Sequence, residues 1–506
     1  MSKYAIQIRV ILVFIGLISA FASQGQLMNH YWSSDFNSQS SLLSGAVVAG
    51  DGGNTSIFYN PATISEIKQG SNLSFAASLF TWGIYYFKDA LGNGIDMVNV
   101  SFNVQPQFLS YSYRRKDSKF AFAFTALTRM KERFDFNYYD SKEIDVIKSS
   151  SGLESYNASY KYYLEYSDNW FGVASSYDVT ERFKIGVSLF LSASYVSYQL
   201  SNNATAFSTT DTLWVDGVPN PSLVTKGLYT ESLKYTNYRF IGKLGISYKF
   251  EKWRFGINLT SPSLSVYSAG KEAYRKESIA NVTNPENDEF IPGHLIINGQ
   301  SDNAIKTTAK FPFSAAFGFI YEVNGKDNRL YFTMEYFSGI KPYKIIDAPI
   351  KDDITSQLVY DNLENKDWLS YVDVAKPVLN IAFGYRWKLS ERLMFLSGVR
   401  TDFNNINNAD YGEYSDYNKI NSTDFNIYHY NGGFQFYFLQ KYLLVAGGEL
   451  SFGYDTEQKQ MANFSDPVEY NPKDNSVLQG PLENNMDIFY FGFNIYLSAT
   501  FKFNAD

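Results

Sequence analysis

Apolar and polar residues alternate along much of this chain, and the alternation is most regular in its last segment. Every second position there is apolar, namely Phe489, Phe491, Phe493, Ile495, Leu497, Ala499, Phe501 and Phe503. Successive side chains of a β-strand point to opposite faces, so the segment predicts one long strand with a wholly apolar face. Such a face needs lipid or a protein core to cover it.

The same period of two recurs upstream, in residues 183–192, 253–260, 379–388 and 428–438. Short polar turns are predicted near 116–118, 180–182, 251–252, 324–328, 390–392 and 440–441. Long polar connections alternate with these turns, near 88–98, 139–156, 204–231, 276–303, 347–374, 405–424 and 456–486. Tight turns at one end and long loops at the other are typical of outer-membrane β-barrels.

The fold prediction is therefore all-β, a transmembrane antiparallel β-barrel of about fourteen strands over residues 71–506 with seven long extracellular loops. An even number of strands would place both termini of the barrel on the periplasmic side. The alternative is a large secreted β-sandwich or propeller, whose strands would run for about 5–6 residues with regular connections. The long alternation at 489–503 favours the barrel.

Residues 1–22 have the features of a cleaved signal peptide. Lys3 and Arg9 give a positive start, an apolar run follows over 10–21, and Ala22 is a small residue at the cleavage spacing. The run is too short to cross roughly 30 Å of hydrocarbon. We therefore predict export to the outer membrane of a Gram-negative type bacterium, where outer-membrane lipid is the expected partner.

Composition excludes several other classes. The chain has 41 Tyr, 42 Phe and 7 Trp among 506 residues, an aromatic share of 18% that suits the aromatic girdles of a membrane barrel. It has no cysteine, which excludes disulfides, a cysteine nucleophile and thiolate metal sites. A formal net charge of -7 argues against a nucleic-acid partner, because phosphate binding needs excess Lys and Arg. No cofactor is expected.

An enzyme is not expected either. A hydrolase in the barrel would need a nucleophile and a base within hydrogen-bond reach, and the chain has only His30, His294 and His429. His294 falls in a predicted loop and His30 in the N-terminal segment, and neither neighbourhood matches a catalytic motif. A lone lumen histidine is more often a hydrogen-bonded wall residue, although His429 stays a candidate ligand contact.

Residues 23–70 precede the first predicted strand and lack its alternation. A short helix is predicted within 39–48, and the glycines at Gly50, Gly52 and Gly53 predict a hinge after it. About fourteen strands enclose a lumen wider than wall side chains can fill, so we expect this segment inside the barrel as a plug, or hatch. Its apolar residues favour burial, namely Leu42, Leu43, Val47, Val48, Ile57 and Phe58.

The end of this segment resembles a known motif. Residues 53–62 (GNTSIFYNPA) are similar to the N-terminal hatch motif of the long-chain fatty-acid and toluene transporter family (FadL-like), which ends in an aromatic residue and Asn-Pro-Ala. Thr63 stands where a Gly commonly follows. Residues 255–262 and 311–318 resemble strand motifs of the same family. The resemblance covers essentially the whole mature chain and implies a monomeric, plugged fourteen-strand barrel for passive uptake of hydrophobic molecules.

The second predicted strand changes phase near Pro106. Phe102 and Phe108 share one phase, whereas Leu109 and Tyr111 share the other. Proline removes a donor from the strand ladder, and a slip of one residue implies a β-bulge. The bulge could simply shape the barrel. Our hypothesis is that the wall opens beside Pro106 and releases a ligand sideways into the bilayer.

If the apolar face meets lipid, the other face carries charged residues into the lumen, namely Arg129, Lys131, Arg133, Arg239, Lys243, Glu335, Arg386, Arg400, Asp402, His429 and Glu449. They could form ion pairs that hydrate the lumen and clamp the plug. Alternatively, Arg129 and Arg133 could bind the carboxylate of a ligand, for which the guanidinium fork is suited. Asn60 and Pro61 most simply fix a turn, and with Phe58 they are also candidate ligand contacts.

Two functions therefore stay open at the level of the sequence. The first is an outer-membrane channel for passive uptake of hydrophobic small molecules, such as long-chain fatty acids. The alternative is a non-transporting barrel that acts as a binding or secretion-assembly partner, a role that the long acidic loop at 351–376 would suit.

Overall fold

The computed structural model describes residues 29–32, 36, 38–67, 69–208, 212–221, 224–283, 290–291, 294–301, 303–323, 327–348, 369–407, 414, 417–420, 424–438, 442–473 and 476–503. The predicted signal peptide at 1–22 and most of the predicted acidic loop lie outside these residues. Among the residues described, no helix combines the length and the apolar character needed to cross a membrane.

Fourteen antiparallel strands form a closed ring, which confirms the predicted fold class. In ring order they are β1 (Gly70–Lys88), β2 (Met97–Arg114), β3 (Phe120–Ile144), β4 (Glu154–Asp178), β5 (Phe183–Ser208), β8 (Val224–Phe250), β9 (Trp253–Thr260), β15 (Ser314–Val323), β16 (Asn328–Phe337), β19 (Val378–Lys388), β20 (Leu393–Asp402), β22 (Ile427–Phe438), β23 (Tyr442–Gln458) and β26 (Met486–Phe503). The ring closes because β26 pairs with β1.

The remaining strands lie in the connections between barrel strands. They are β6 (Thr212–Val215), β7 (Val218–Pro221), β10 (Leu264–Ala280), β11 (Val282–Thr283), β12 (Phe290–Ile291), β13 (His294–Gln300), β14 (Lys306–Thr307), β17 (Ile340–Asp347), β18 (Tyr371–Ala375), β21 (Asn418–Lys419), β24 (Val468–Asn471) and β25 (Ser476–Gln479). Strands β14, β17, β18 and β21 form a separate sheet, which we call the cover sheet.

Outward side chains near the turn end of the barrel form an apolar band. Phe124 on β3, Phe171 and Val173 on β4, and Val187 and Leu189 on β5 are each about half exposed. Apolar surface of this extent is costly in water. The band is the surface that lipid covers in a transmembrane barrel.

We call the end of the barrel that is opposite the short turns the upper end. The polarity of the two faces inverts in the upper halves of the longest strands. Strands β3, β4, β5 and β8 have 25, 25, 26 and 27 residues, whereas a membrane-spanning strand needs about 9–11. On the upper half of β4, Tyr156, Tyr160 and Tyr162 point inward and are buried, while Asn157 and Lys161 point outward. Much of the predicted loops at 139–156 and 204–231 is therefore strand, because inward aromatic side chains give these segments a core of their own.

The segment at 38–67 lies within the ring. Its helices are α1 (Gln39–Leu42) and α2 (Ser56–Tyr59), with 3₁₀ turns at Gly53–Thr55 and Pro61–Glu66. The second 3₁₀ turn contacts β4, β5 and β8, whereas α1 contacts β20, β22 and β23 across the ring. We call this segment the inner segment. The helix predicted within 39–48 ends early, because Ser44 and Gly45 have positive φ values of 51° and 77°.

Glycines on the inner face of the wall let the inner segment approach closely. A Cβ on Gly245 would overlap the side chain of Asn60, and a Cβ on Gly256 would overlap the carbonyl of Val48. Further inward glycines meet the segment at Gly186, Gly318, Gly384, Gly398, Gly433 and Gly447. The alternation of glycine with outward apolar residues therefore fits the wall to the segment inside it.

Charged residues hold the inner segment near the turn end of the barrel. Asp51 lies 2.6 Å from Arg329, 3.5 Å from Arg386 and 3.6 Å from Arg254, and Arg254 also binds Glu66 at 2.7 Å. Burial raises the pKa of Asp51, but the three guanidinium groups outweigh burial and hold the pKa well below its usual range. This arrangement matches the ion-pair interpretation of the lumen charges.

Candidate functional site

A cavity of about 100 Å³ lies inside the upper part of the barrel, between the cover sheet and the inner face of β3, β4, β5 and β8. Aromatic side chains supply much of its surface, namely Tyr31, Tyr166, Tyr235, Phe311 and Tyr343. We call it the upper cavity. Tyr166 on β4 and Tyr235 on β8 reach it because the period of two turns every second side chain inward. Tyr343 comes from β17 of the cover sheet, while Tyr31 and Phe311 lie outside the strands.

Two arginines in the upper cavity share one buried carboxylate. Arg129 Nε lies 2.7 Å and Arg239 Nη2 lies 2.8 Å from Asp168 Oδ2. Ser192 donates to the other carboxylate oxygen at 2.5 Å and accepts from Arg239 Nε at 3.0 Å. Among the described residues, Arg129 Nη1 is buried with no hydrogen-bond partner. This pair of arginines therefore carries one more charge than the carboxylate it shares, and one buried donor of Arg129 stays without a partner.

Asp373 on the cover sheet faces the same cavity. It accepts a hydrogen bond from Tyr343 at 3.1 Å and from the backbone N–H of Val374 at 2.9 Å. Burial raises the pKa of this carboxyl to about 6, although both hydrogen bonds oppose the rise. Lys310, whose Nζ lies 4.3 Å from the centre of the Tyr343 ring, adds another positive charge to the lining.

Arg129 occupies a β-bulge, and this bulge corrects one prediction. The pairing of β3 with β4 shifts between Thr128 and Met130, so that Arg129 and Met130 are both buried. Beyond a bulge the alternation changes face. Lys131 and Arg133 therefore lie on the outer face, and their predicted inward orientation is wrong.

Arg133 has its own partners on the outer surface. Its guanidinium lies 3.6 Å from Asp135 and 5.5 Å from the centre of the Tyr163 ring. It lines neither interior cavity. The two arginines that meet in the interior are therefore Arg129 and Arg239, which the register of β8 brings to Ser192. The predicted pair of Arg129 and Arg133 does not come together there.

A second, smaller cavity of about 30 Å³ lies next to the first and shares Tyr31, Arg129 and Phe311 with it. We call it the lower cavity. Phe58 lines it, and the Lys243 Nζ lies 4.1 Å from the centre of the Phe58 ring. The predicted contact Phe58 therefore reaches an interior cavity.

Asn60 and Pro61 line neither cavity. Asn60 is fully buried, donates to the carbonyls of Val48 and Ile246 at 2.6 and 2.9 Å, and accepts from the N–H of Ala62. Thr63 donates to the Asn60 carbonyl at 2.9 Å, so it adds to this turn. The contacts are those of a turn that fixes the inner segment to the wall.

His429 is buried within a polar network of the wall. Its Nδ1 lies 2.7 Å from Ser451 and 3.4 Å from Glu449, while its Nε2 lies 3.8 Å from Asp402. Arg400 binds Glu449 at 3.0 Å. Arg400, Asp402, His429 and Glu449 are buried, as their predicted inward orientation requires. His429 lines neither cavity, however.

The wall between β2 and β3 is paired over only part of its length. Ladder pairing runs from Tyr113 and Phe122 to Phe108 and Leu127, and then stops. Both strands continue, because β2 pairs with β1 as far as Met97 and β3 pairs with β4 as far as Ile144. Within the described residues, no ladder joins 97–107 to 128–144.

The unpaired stretch begins beside Pro106. The pairing of β2 with β1 shifts between Phe108 and Pro106, which leaves Gln107 without a ladder partner. The predicted bulge is therefore present. Asn99 Nδ2 donates to the carbonyl of Arg133 across the unpaired stretch, at 3.4 Å.

Interior residues that sequence reasoning missed include Tyr31, Asp168, Phe311, Tyr343 and Asp373. Tyr31 precedes the inner segment, Asp373 lies in the connection predicted at 347–374, and Phe311 opens the predicted strand motif at 311–318. Tyr343 lies between this motif and that connection. Their placement depends on contacts between distant parts of the chain. Asp168 follows the inward phase of Trp170 on β4, and that alternation was the available signal.

No family model matches the chain, and no curated protein matches its sequence. Solved structures do match. The P. putida toluene transporter TodX aligns over 93% of this chain and 100% of its own, with 12% identity and a TM-score of 0.51. The deltaS2 mutant of the TodX monoaromatic hydrocarbon channel has the same coverage, with 13% identity and a TM-score of 0.53. A Pseudomonas aeruginosa FadL homologue aligns over 89% and 94%, with 12% identity and a TM-score of 0.51. This chain therefore shares the fold of FadL-like barrels.

Proposed function

We propose that this protein is an outer-membrane channel that takes up hydrophobic small molecules passively and releases them sideways into the bilayer. A ligand enters from the end that carries the long connections and reaches the upper cavity. It then passes Tyr31 and Arg129 toward the lower cavity. It leaves through the wall where β2 and β3 part.

The early end of the β2–β3 ladder is the observation that carries this proposal. A transmembrane barrel normally pairs its backbone groups around the whole wall, because lipid offers them no partners. Here the ladder stops at Phe108 and Leu127 although both strands continue. A bulge at Gln107 marks the same point.

Apolar surface lies on both sides of that point. Inside, the ring centre of Phe108 lies 5.9 Å from that of Phe36, which lines the lower cavity. Outside, a groove of about 650 Å³ extends over β1 to β8, and Leu109 and Phe124 are among its lining residues. Val100 and Phe102 lie on the unpaired stretch of β2 and are more than half exposed. A lipophilic molecule would therefore meet apolar side chains before and after it crosses the wall.

The inner segment supports release to the side over release into the periplasm. Asp51 and Glu66 are held by arginines of several strands near the turn end. We infer that the segment acts as a fixed plug, which closes the direct path along the barrel axis.

Uptake of a lipophilic fluorescent dye by intact Gram-negative cells tests the proposal. Cells that express the chain are expected to take up the dye several times faster than cells with an empty vector. The chain has no natural cysteine, so an Asn99→Cys/Phe134→Cys variant can be joined across the unpaired stretch with a reducible thiol cross-linker. The joined form is expected to lose most uptake and to regain it on reduction.

A Ser110→Cys/Thr125→Cys variant is the matched control, because these residues already pair across the same two strands. Joining them should leave uptake unchanged. Equal uptake by expressing and vector cells would reject the channel. Stable co-purification with a partner protein in that case would favour the binding or secretion-assembly alternative.

A further inference from the structure

We infer that the upper cavity selects small aromatic acids, ligands with a single ring and a carboxylate. This inference rests on the proposed function and names the substrate class of its interior site. Three independent features of the cavity lead to it, namely size, aromatic lining and charge.

The size of the cavity sets the scale of the ligand. Its volume of about 100 Å³ is of the same order as the ~150 Å³ cavity that holds benzene inside a protein core. Drug-sized ligands occupy sites of about 300–1,000 Å³. A ligand with one ring fits with small side-chain adjustments, whereas a long acyl chain would extend well beyond these walls.

The lining favours a flat aromatic ligand. Tyr31, Tyr166, Tyr235, Phe311 and Tyr343 present aromatic rings to the cavity. Tyr31 and Phe337 stack with ring centres 4.3 Å apart, and Tyr31 meets Phe311 edge-on at 5.8 Å. Aromatic pairs in such geometries gain free energy beyond the burial of area, so an added ring can join an arrangement that already exists.

The charge favours an acid over a plain arene. Arg129, Arg239 and Lys310 bring three positive charges, against two negative charges from Asp168 and Asp373. The Nη1 of Arg129 is buried with no hydrogen-bond partner among the described residues. A buried donor without a partner is costly, and a ligand carboxylate would satisfy it with a charge-assisted bond. An arene without the acid group would leave the donor unpaired.

Calorimetric titration of the purified protein in detergent tests this inference with benzoate, toluene and palmitate as probes. Benzoate is expected to bind at least tenfold more tightly than toluene, which has the ring without the acid. It is also expected to bind at least tenfold more tightly than palmitate, which has the acid without the ring. Similar affinities for benzoate and toluene, or tighter binding of palmitate, would overturn the inference.

Variants separate the site from general electrostatics. Arg129→Gln should weaken benzoate binding at least tenfold and Arg129→Lys should weaken it less, while Arg133→Gln on the outer face of the same strand should leave it unchanged. If Arg129→Gln fails to fold, as judged by melting in detergent, Lys310→Gln at the exposed part of the lining replaces it, with an expected loss of severalfold. Unchanged benzoate affinity in the folded variant would reject the site.

Benzoate binding and dye uptake together distinguish failure of the aromatic-acid site from failure of the proposed channel. Dye uptake that persists while benzoate does not bind would reject the aromatic-acid site and leave the channel in place. Benzoate binding without dye uptake would reject the proposed function.

Discussion

At the scale of single residues, the orientation of a charged side chain decides whether it can meet a ligand. Arg129 and Arg133 are four positions apart, which a regular strand would place on one face. The bulge at Arg129 separates them, one into the cavity and one onto the outer surface. The apolar pattern gives no sign of this change, because Phe122, Phe124, Phe134 and Phe136 all stand at even positions although the first two point outward and the last two inward.

Asp373 is expected to make ligand binding depend on pH. Its carboxyl has a pKa of about 6 and faces the same cavity as Arg129, Arg239, Lys310 and Tyr343. Above pH 6 it gains a negative charge that repels a carboxylate ligand, while a benzoate probe stays ionised because ordinary carboxyl pKa values lie at about 4. Benzoate affinity, measured by titration, should fall severalfold from pH 5 to pH 7.5.

The free energy of unfolding should also depend on the protonation of Asp373. Because the folded pKa of Asp373 lies above the ordinary value of 3.8, the folded state binds the proton more tightly than the unfolded state. The free energy of unfolding should therefore decrease as pH rises from about 4 to about 6. Asp373→Asn should remove this part of the dependence, and an unchanged pH profile in that variant would assign the effect to other groups.

Gly245 is expected to be intolerant of a larger side chain. A Cβ at this position would overlap Asn60 of the inner segment, so Gly245→Ala should lower the free energy of unfolding by about 1–3 kcal/mol, the usual cost of overpacking. Thermal melting in detergent measures the change. Gly242→Ala on the same strand is the control, because its Cβ would meet only Ser261 Oγ at 3.6 Å. Equal melting temperatures for both variants would contradict the close fit.

At the scale of the strands, the sequence predicts the membrane-facing parts well and the parts above them poorly. Alternation identified the lower half of β5 through Ile185, Val187 and Leu189, since lipid accepts any apolar side chain on the outer face. The polar character of 139–156 and 204–231 predicts loops, but these ranges hold the upper ends of β3, β4, β5 and β8. Their inward tyrosines alternate as regularly, but the packing that stabilises them comes from distant connections, which local pattern does not reveal.

A substitution of Pro106 tests whether the bulge in β2 is needed for uptake. Pro106→Val restores a backbone donor at the start of the unpaired stretch and should favour extension of the β2–β3 ladder. We expect dye uptake to fall severalfold while the melting temperature stays equal or rises. Uptake at the wild-type rate would mean that the bulge only shapes the barrel, the interpretation that the sequence left open.

Asp51 tests the connection between the inner segment and the wall. Asp51→Asn leaves Arg254, Arg329 and Arg386 close together without their shared carboxylate, and loss of one partner from a buried ion pair costs about 3–5 kcal/mol. The melting temperature in detergent should fall accordingly. Asp487→Asn is the control, because its pair with Lys88 is largely exposed and is worth about 0–1 kcal/mol.

At the scale of the whole molecule, two routes out of the barrel are conceivable, and the contacts of the inner segment distinguish them. An axial route requires the segment to leave, which would break its hydrogen bonds to the wall, such as Asn60 to the carbonyl of Ile246. A lateral route requires only that β2 and β3 separate where the ladder is already missing. The lateral route therefore disturbs far fewer contacts.

Joining the inner segment to the wall tests this comparison. The N–H of Val48 lies 3.4 Å from Thr333 Oγ1, so a Val48→Cys/Thr333→Cys variant should accept the same reducible thiol cross-linker. If ligands leave sideways, the joined protein should keep dye uptake within about twofold of its reduced form, because the segment never has to move. Loss of uptake on joining, with recovery on reduction, would show instead that the segment is a moving hatch and that the axial route is used.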